Sequence, residues 1–206
     1  MEKIVKRAAL LSAGVPEFER RTQLLQAAAE LVEAQGLGAL SHRAVEQAAG
    51  VPHGSVTYWF GSRDGLITAL VNWLCEQSER QCRALAAQVE ESLREGGKPD
   101  VDVLARGMSE WHASPAAMHL ARLELELQGA REPAHAARMT AAAGVFWEMC
   151  ATLARVLGSD DPERDGRTMA VLLDGVLLDA LAHPPQDLAV LETAIRWVLQ
   201  GAATRP

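Results

Sequence analysis

The side-chain types most used in metal binding and proton transfer gather in one short stretch of the chain. It contains Glu110, His112, His119 and Glu124. Neither histidine belongs to an H-E-x-x-H or E-x-x-H pair, which would place two ligands on one helix face. Pro115 also separates His112 from His119. We therefore expect no metal centre in this stretch.

The cysteines are Cys75, Cys82 and Cys150, an odd number without a C-x-x-C pair. This pattern favours free thiols, as in a reducing cytoplasm. The sequence also has no nucleophile motif and no Gly-rich phosphate loop. We therefore predict that the protein is not an enzyme and needs no metal or other cofactor.

The stretch from Gly50 to Leu66 indicates a different chemistry; it reads GVPHGSVTYWFGSRDGL. At about 100° per residue in a helix, Val56, Trp59 and Phe60 cluster on one side. We predict that this side is buried and that Tyr58, the chain's only tyrosine, faces the other way.

The residues near Tyr58 on the predicted outer side are small or carry hydroxyl groups. Gly54 shares the side of Tyr58, and Ser55 and Thr57 flank it. Small residues allow a backbone to approach DNA closely, and hydroxyl groups reach phosphates or base edges. The pattern is therefore compatible with a DNA-facing helix, and by itself it is equally compatible with a purely structural corner.

Helix breakers and caps divide the region around this stretch. Pro16 begins a first helical block that ends at Gly36, and Ser41 is a good N-cap for a second. Gly50 ends the second block, and Gly61 ends the third. A helix, a tight turn and a short helix form a helix-turn-helix pattern.

The remainder of the chain is also predicted to be helical. A long fourth block runs from Ser62 to about Glu95. Further helices are expected near 101–113, 115–129, 132–157, 162–182 and 186–201. Because Val, Ile and Thr never alternate over a useful length, we predict an all-α fold. It has a three-helix N-terminal head joined to a larger helical body.

The predicted organisation has three parts: an N-terminal arm over 1–16, either flexible or in contact with DNA, a helix-turn-helix DNA-binding domain over 17–66 and a C-terminal ligand-binding and dimerisation domain over 67–206. The net charge is -7, but residues 1–60 hold six basic and six acidic side chains. The acidic excess is therefore C-terminal and leaves room for a basic face on the head. We expect no signal peptide or membrane span, and a cytoplasmic location.

Residues 20–70 resemble the N-terminal domain of the TetR family of bacterial transcriptional repressors. They read RRTQLLQAAAELVEAQGLGALSHRAVEQAAGVPHGSVTYWFGSRDGLITAL. The shared pattern includes the Gly-ended first helix, the Ser cap, A-G-V, a Gly-Ser at the start of the third helix, and an aromatic–Phe pair. The family commonly has tyrosine at the position of Thr57, whereas here the tyrosine is Tyr58. The resemblance leaves open which of the two makes that contact.

The resemblance implies that the head binds double-stranded DNA through a set of polar and small residues. These are Ser41, His42, Arg43, Pro52, His53, Gly54, Ser55, Thr57, Tyr58 and Arg63. The N-terminus of the second helix and Arg43 would meet a phosphate. The third helix would be the recognition surface, and Arg63 would hold the DNA backbone.

The body is expected to form a homodimer and to bind a small molecule. By resemblance, its last two helices form a four-helix bundle across the dimer, with Leu173, Gly175, Leu177, Leu191, Ile195 and Trp197 as candidate interface residues. The candidate pocket residues combine aromatic, sulfur and polar groups. They are Trp73, Met108, Trp111, His112, Met118, His119, Arg122, Phe146, Trp147 and Cys150.

The resulting hypothesis is a ligand-responsive regulator, most simply a repressor, that binds a palindromic operator as a homodimer and is released by a small-molecule effector. The alternative is a helical adaptor or small-molecule-binding protein without specific DNA binding. Neither hypothesis involves a membrane. The effector, the operator and the choice between repressor and activator stay open.

Overall fold

A computed structural model describes residues 17–94, 100–112, 118–131, 133–183 and 187–203. These ranges contain helices and turns but no strand, which confirms the all-α prediction. The expected arm over 1–16 lies outside the described residues. The helices are α1 Glu17–Gln35, α2 His42–Ala49, α3 Ser55–Phe60, α4 Arg63–Arg94, α5 Val101–His112, α6 His119–Gly129, α7 Pro133–Val156, α8 Pro162–Ala182 and α9 Leu188–Ala203.

Both ends of α2 and the end of α3 form where the sequence predicts them, but α3 begins at Ser55 and not near Pro52 as the position of the proline predicts. The Ser41 hydroxyl accepts a hydrogen bond from the Ala44 backbone N–H at 3.2 Å, which caps α2. Gly50 ends α2 in the left-handed conformation, with φ 65°. Gly54 precedes α3 with φ 92°, a value that a residue with a Cβ rarely adopts. These glycines set the tight turn between the two short helices.

The structure divides into two compact units, and the first joins two separate segments of the chain. Of the described residues it comprises 17–74, 118–131 and 133–138, so α6 belongs with the head helices. Its core consists of fully buried apolar side chains, among them Leu24, Leu25, Ala28, Leu40, Val45, Val56, Leu66 and Leu70. Burial of these side chains is the main force that holds the short helices α2 and α3, which are too short to be stable alone.

Two carboxylates connect α6 to α1 and to the 3-10 turn Leu37–Ala39 that follows α1. Glu33 of α1 accepts a hydrogen bond from the Ala121 N–H in the first turn of α6, at 2.8 Å. Glu124 of α6 accepts a hydrogen bond from the Leu37 N–H. The Glu33 carboxylate therefore satisfies a backbone N–H group at the start of α6, and the Glu124 carboxylate satisfies one at the start of the 3-10 turn.

Of the described residues, the second compact unit comprises 75–94, 100–112, 139–183 and 187–203. Within it α9 packs against α5 and α8. Its core includes Met108, Cys150, Leu153, Met169, Leu173, Ile195 and Leu199. Arg196 of α9 donates to Asp102 of α5 and to Glu192, the latter at 2.8 Å. None of the described helices is long and apolar enough to span a membrane.

At Gly166, α8 lies directly against the backbone of α7. A Cβ at this position would lie 2.4 Å from the Cα of Ala151 and 2.8 Å from the carbonyl carbon of Cys150. Because the atoms in the way belong to the backbone, Gly166→Ala must separate the two helices. We expect it to lower the free energy of unfolding by about 3 kcal/mol, as measured by chemical denaturation.

Gly107 on α5 is the matched control for this prediction. It also lies inside a helix, but a Cβ there meets no heavy atom within 4 Å. We expect Gly107→Ala to raise stability by about 0.5–1 kcal/mol through its helix propensity. Equal effects of the two substitutions would show that the contact at Gly166 does not determine the packing of α7 and α8.

Candidate nucleic-acid interface

The aromatic residues of α3 divide between its two faces. Val56 is fully buried, and Trp59 and Phe60 are half-buried, whereas Tyr58 is 76% exposed. The Tyr58 ring meets the Trp59 ring edge-on, with centroids 5.3 Å apart. The predicted orientation of these side chains is confirmed.

The N-terminus of α3 is held by Glu46, a residue of α2 that the sequence pattern did not single out. Its side chain is 5% exposed. The Oε1 atom accepts hydrogen bonds from the backbone N–H of Gly54 at 2.8 Å and of Val56 at 3.1 Å. A carboxylate at a helix N-terminus satisfies free N–H groups and is favoured by the helix dipole.

The second oxygen of Glu46 contacts His53. The distance between Glu46 Oε2 and His53 Nδ1 is 2.9 Å. Burial acts to raise the pKa of the Glu46 carboxyl, but hydrogen bonds from His53, Val56 and Gly54 outweigh it. The pKa therefore lies below its ordinary value, and Glu46 is ionised at neutral pH.

The position of Glu46 shows how the expected face of α2 differs from the observed one. The helical pattern of Val45, Ala48 and Ala49 predicts that these three residues form the buried side. The structure buries Val45 but exposes Ala48, and Glu46 takes the buried place. α2 has only 8 residues and must bury most of one side. The charged residue next to Val45 was therefore the signal from which a buried carboxylate could have been predicted.

The other predicted contact residues at the start of α2 lie at the surface. Arg43 is exposed, and the Ser41 hydroxyl is used in the α2 cap. The Nδ1 atom of His42 lies 3.1 Å from the Oγ1 atom of Thr57. This contact joins the start of α2 to the exposed side of α3. The three predicted residues at the start of α2 therefore lie next to the exposed side of α3.

The residues between α2 and α3 complete this patch. Pro52 and His53 are exposed, and Gly54 and Ser55 are half-buried. The Ser55 hydroxyl donates to the Pro52 carbonyl at 2.6 Å, which tightens the turn. We call the exposed polar surface of Ser41–Arg43, Pro52–Ser55, Thr57 and Tyr58 the recognition surface.

Arg63 is engaged within the head. Its Nε and Nη2 atoms donate to the carbonyls of Leu40 at 3.0 Å and Leu37 at 3.1 Å. The guanidinium therefore ties the start of α4 to the segment between α1 and α2. The contact of Arg63 with the DNA backbone stays a prediction. It would be made by the guanidinium N–H groups that do not donate to Leu37 and Leu40.

The predicted pocket residues are distributed over both compact units. Trp73, Met118, His119 and Arg122 belong to the first unit, and Met108, Trp111, His112, Phe146, Trp147 and Cys150 belong to the second. In the second unit the ring centroids of Trp111 and His112 lie 4.6 Å apart. The Arg167 guanidinium lies 3.4 Å from the centre of the Trp147 ring. Aromatic faces that accept a cation are thus present in this unit.

The Cys150 thiol lies in the core of the second unit. Burial, followed by the influence of Cys82 and Asp174, raises the pKa of this thiol well above its ordinary value. It stays protonated at neutral pH, so Cys150 is a packing residue and not a reactive thiolate. Among the described residues, no three His, Cys, Asp or Glu side chains lie together as metal ligands.

The residues predicted for the dimer interface separate into two groups. Leu173, Leu177, Leu191 and Ile195 are at most 4% exposed and lie in the protomer core, so they are not available to a partner. Gly175 is exposed, and Trp197 is 72% exposed. The prediction that these four buried residues form the interface is therefore wrong. Both α8 and α9 are apolar on more than one side, and the side that carries these four residues faces this chain's own core.

The large apolar residues that α8 and α9 expose overlap with the predicted set only at Trp197. They are Val171, Leu172, Leu178, Leu188 and Val190, together with Trp197. On α8 the exposed positions 171, 175 and 178 follow helical spacing. On α9 the exposed Val190 and Trp197 are seven residues apart and lie on one side. We call Val171, Gly175, Leu178, Val190 and Trp197 the apolar face.

Two family models match the chain. Residues 24–70 match the model described as "Bacterial regulatory proteins, tetR family". Residues 99–201 match the one described as "Tetracyclin repressor-like, C-terminal domain". The first match includes the recognition surface, and the second includes the apolar face.

Individual proteins agree with the family models. The HTH-type transcriptional regulator BetI of Pseudomonas aeruginosa (strain LESB58) is 29% identical over 168 residues, which cover 77% of this chain and 80% of BetI. The crystal structure of the multidrug binding protein EbrR complexed with ethidium has a TM-score of 0.60 and 27% identity, and covers 87% of this chain and 98% of EbrR. A TetR-family member from Streptomyces coelicolor A3 has a TM-score of 0.64 and 26% identity, and covers 91% of this chain and 99% of its own.

Proposed function

This chain belongs to the TetR family of transcriptional regulators, and from that premise we propose that it is a homodimeric repressor of a palindromic operator, released by a small-molecule effector. The observation that carries the proposal is the recognition surface. It presents Thr57 and Tyr58 outward on a helix whose opposite side is buried at Val56, and His53 outward on the turn that precedes this helix. A chromosomal regulator acts in the bacterial cytoplasm, where we place this one.

DNA contact by the recognition surface divides into two roles. The capped N-terminus of α2, with exposed Arg43, is suited to a phosphate group, because its free N–H groups and the helix dipole favour an anion. The side chains of α3 and the preceding turn are suited to base edges in the major groove. Of the two hydroxyl groups, that of Tyr58 has the longer reach, and that of Thr57 is already near His42.

The apolar face supports the homodimer. Exposed apolar side chains on two neighbouring helices are typical of a surface that a partner covers. Gly175 lies among them and lets a second helix approach closely. A two-fold axis through this face would give each DNA half-site one head, which is the arrangement that a palindromic operator requires.

The second compact unit supplies candidate contacts for an effector. EbrR, to which this chain is similar, is described as a multidrug binding protein in complex with ethidium, a planar aromatic cation. The Trp147 ring and the Trp111–His112 pair offer aromatic surface, and the Trp147 ring already packs against the guanidinium of Arg167. We propose that the effector is an aromatic or cationic small molecule, and thermal-shift screening tests this.

The DNA-binding function predicts a specific loss in an Arg43→Ala variant. Operator affinity should fall steeply with salt, because phosphate contacts release counterions. Removing one phosphate contact from each head should weaken binding to all sequences alike. It should also reduce the slope of log affinity against log salt by about one unit per lost contact. Fluorescence anisotropy at several salt concentrations measures both.

The matched control is Arg106→Ala, which removes the same charge from an exposed position in α5. It should leave the salt slope unchanged. If Arg43→Ala and Arg106→Ala behave alike, Arg43 is not a phosphate contact. If the protein shows no preference for its own upstream region over random DNA, the repressor proposal fails and the adaptor hypothesis is favoured.

A further inference from the structure

The contact between Glu46 and His53 joins a buried carboxylate to an exposed ring. The Glu46 side chain is 5% exposed, and that of His53 is 91% exposed. The ring therefore extends from the turn before α3 into solvent, while its Nδ1 atom is anchored at 2.9 Å. Residues at the start of a recognition helix are those that reach base edges in helix-turn-helix proteins.

The hydrogen bonds of Glu46 determine which nitrogen of His53 carries the proton. An ionised carboxylate only accepts hydrogen bonds. Glu46 Oε1 already accepts from Gly54 and Val56, and Oε2 faces His53 Nδ1. The His53 Nδ1 atom must then be the donor. In the neutral ring the outward Nε2 atom consequently has no proton and is a hydrogen-bond acceptor.

We propose that Glu46 is a positioning residue that fixes the tautomer of His53, so that His53 selects a base with an exocyclic amino group. In the major groove such donors are adenine N6 and cytosine N4. Guanine presents only acceptors at its O6 and N7 atoms, which would oppose the lone pair of Nε2. This inference rests on the proposed DNA-binding function and adds the base preference at one position of each half-site.

The variant Glu46→Gln provides a sharp test, because it should reverse the polarity of the ring. The amide oxygen replaces Oε1, where it keeps the hydrogen bonds from Gly54 and Val56. The amide NH2 group then replaces Oε2 and donates to His53 Nδ1. Nδ1 must therefore become the acceptor, and the proton moves to Nε2. The outward nitrogen becomes a donor, which suits guanine N7 or O6.

The tautomer itself can be measured without DNA. Nitrogen-15 NMR of the histidine rings, at about pH 8 so that neutral imidazole is the form observed, reports which nitrogen is protonated. We expect a proton on Nδ1 of His53 in the wild type and on Nε2 in Glu46→Gln. A wild-type ring protonated on Nε2, or on both nitrogens, would overturn the inference whatever the protein does with DNA.

Base preference is measured in the same buffer with a library of half-sites that is randomised at each position. The wild type should favour adenine or cytosine over guanine by about tenfold at one position. Glu46→Gln should favour guanine there, and His53→Ala should have no preference at that position. In the variant that combines Glu46→Gln with His53→Ala, the change at Glu46 should have no further effect on the base preference.

Two results separate the inference from the function on which it rests. Uniform weakening of all half-sites by Glu46→Gln, with an unchanged preference, would mean that Glu46 only supports α3 and would overturn the inference. Absence of any sequence-specific binding by the wild type would instead overturn the proposed function. Thermal unfolding of each variant confirms that the proteins compared are folded.

Discussion

Trp197→Asp is expected to convert the regulator to a monomer and to lower its operator affinity at least about a hundredfold. Trp197 is 72% exposed on α9. Of the roughly 200 Å² of a tryptophan, about 150 Å² therefore remains to be covered, which would stabilise a dimer by about 4 kcal/mol per copy. Aspartate would lose this contribution and place a charge in an apolar interface. A monomer also loses the avidity of two linked heads, which is about 10²–10⁴ in affinity.

Light scattering coupled to gel filtration measures the oligomeric state, and anisotropy with a two-half-site operator measures the affinity. Leu127→Asp is the matched control, because Leu127 is 62% exposed but lies on α6, in the other compact unit. It should leave the dimer intact, as should the conservative change Trp197→Phe. A dimeric Trp197→Asp protein would place the interface elsewhere than on the apolar face.

Glu46→Ala is expected to destabilise the head by about 3 kcal/mol. The substitution leaves the N–H groups of Gly54 and Val56 without their acceptor, and each unsatisfied buried donor costs about 1–3 kcal/mol. Because the stable conformation of α3 depends on this cap, specific DNA binding should be lost with it. Chemical denaturation and hydrogen exchange at the amides of α3 measure the effect.

The same residue predicts the pH dependence of stability. The pKa of Glu46 in the folded protein lies below its reference value of 4.5, so its contribution to stability is present above pH 4.5. The contribution is lost as the pH falls through the folded pKa, where the carboxylate takes up a proton. Glu46→Gln should remove this part of the acid sensitivity while keeping the oxygen cap.

Gln47→Ala is the control for both measurements, because Gln47 is the exposed neighbour of Glu46 on α2. It should have little effect on stability or on its dependence on pH. A Glu46→Ala protein as stable as this control at neutral pH would contradict the role of Glu46 as the cap of α3.

Much of the head could be predicted because its signals are local. Ser41, Gly50 and Gly61 set helix ends through their own backbone and side-chain preferences, which depend on few neighbours. The opposite orientations of Tyr58 and Val56 follow from the 100° helical repeat alone. The family resemblance over residues 20–70 rests on the same local pattern, and the family models agree with it.

The residues that escaped prediction depend on contacts distant in the sequence. Glu46 is buried because donors eight and ten residues later turn toward it. The contacts of Glu33 with Ala121 and of Leu37 with Glu124 span 88 and 87 residues. No periodicity in either segment indicates that α6 should pack with α1.

The sequence by itself determined the helices, most of their ends and the family, because backbone preferences and helical periodicity act over a few residues. Only the tertiary structure decided which side of each apolar helix is covered. On α8, Leu173 and Leu177 enter the core while Val171 and Leu178 stay exposed, although all four are equally apolar. The free energy of burial is non-directional, so the choice of side depends on which neighbouring helices supply the complementary surface.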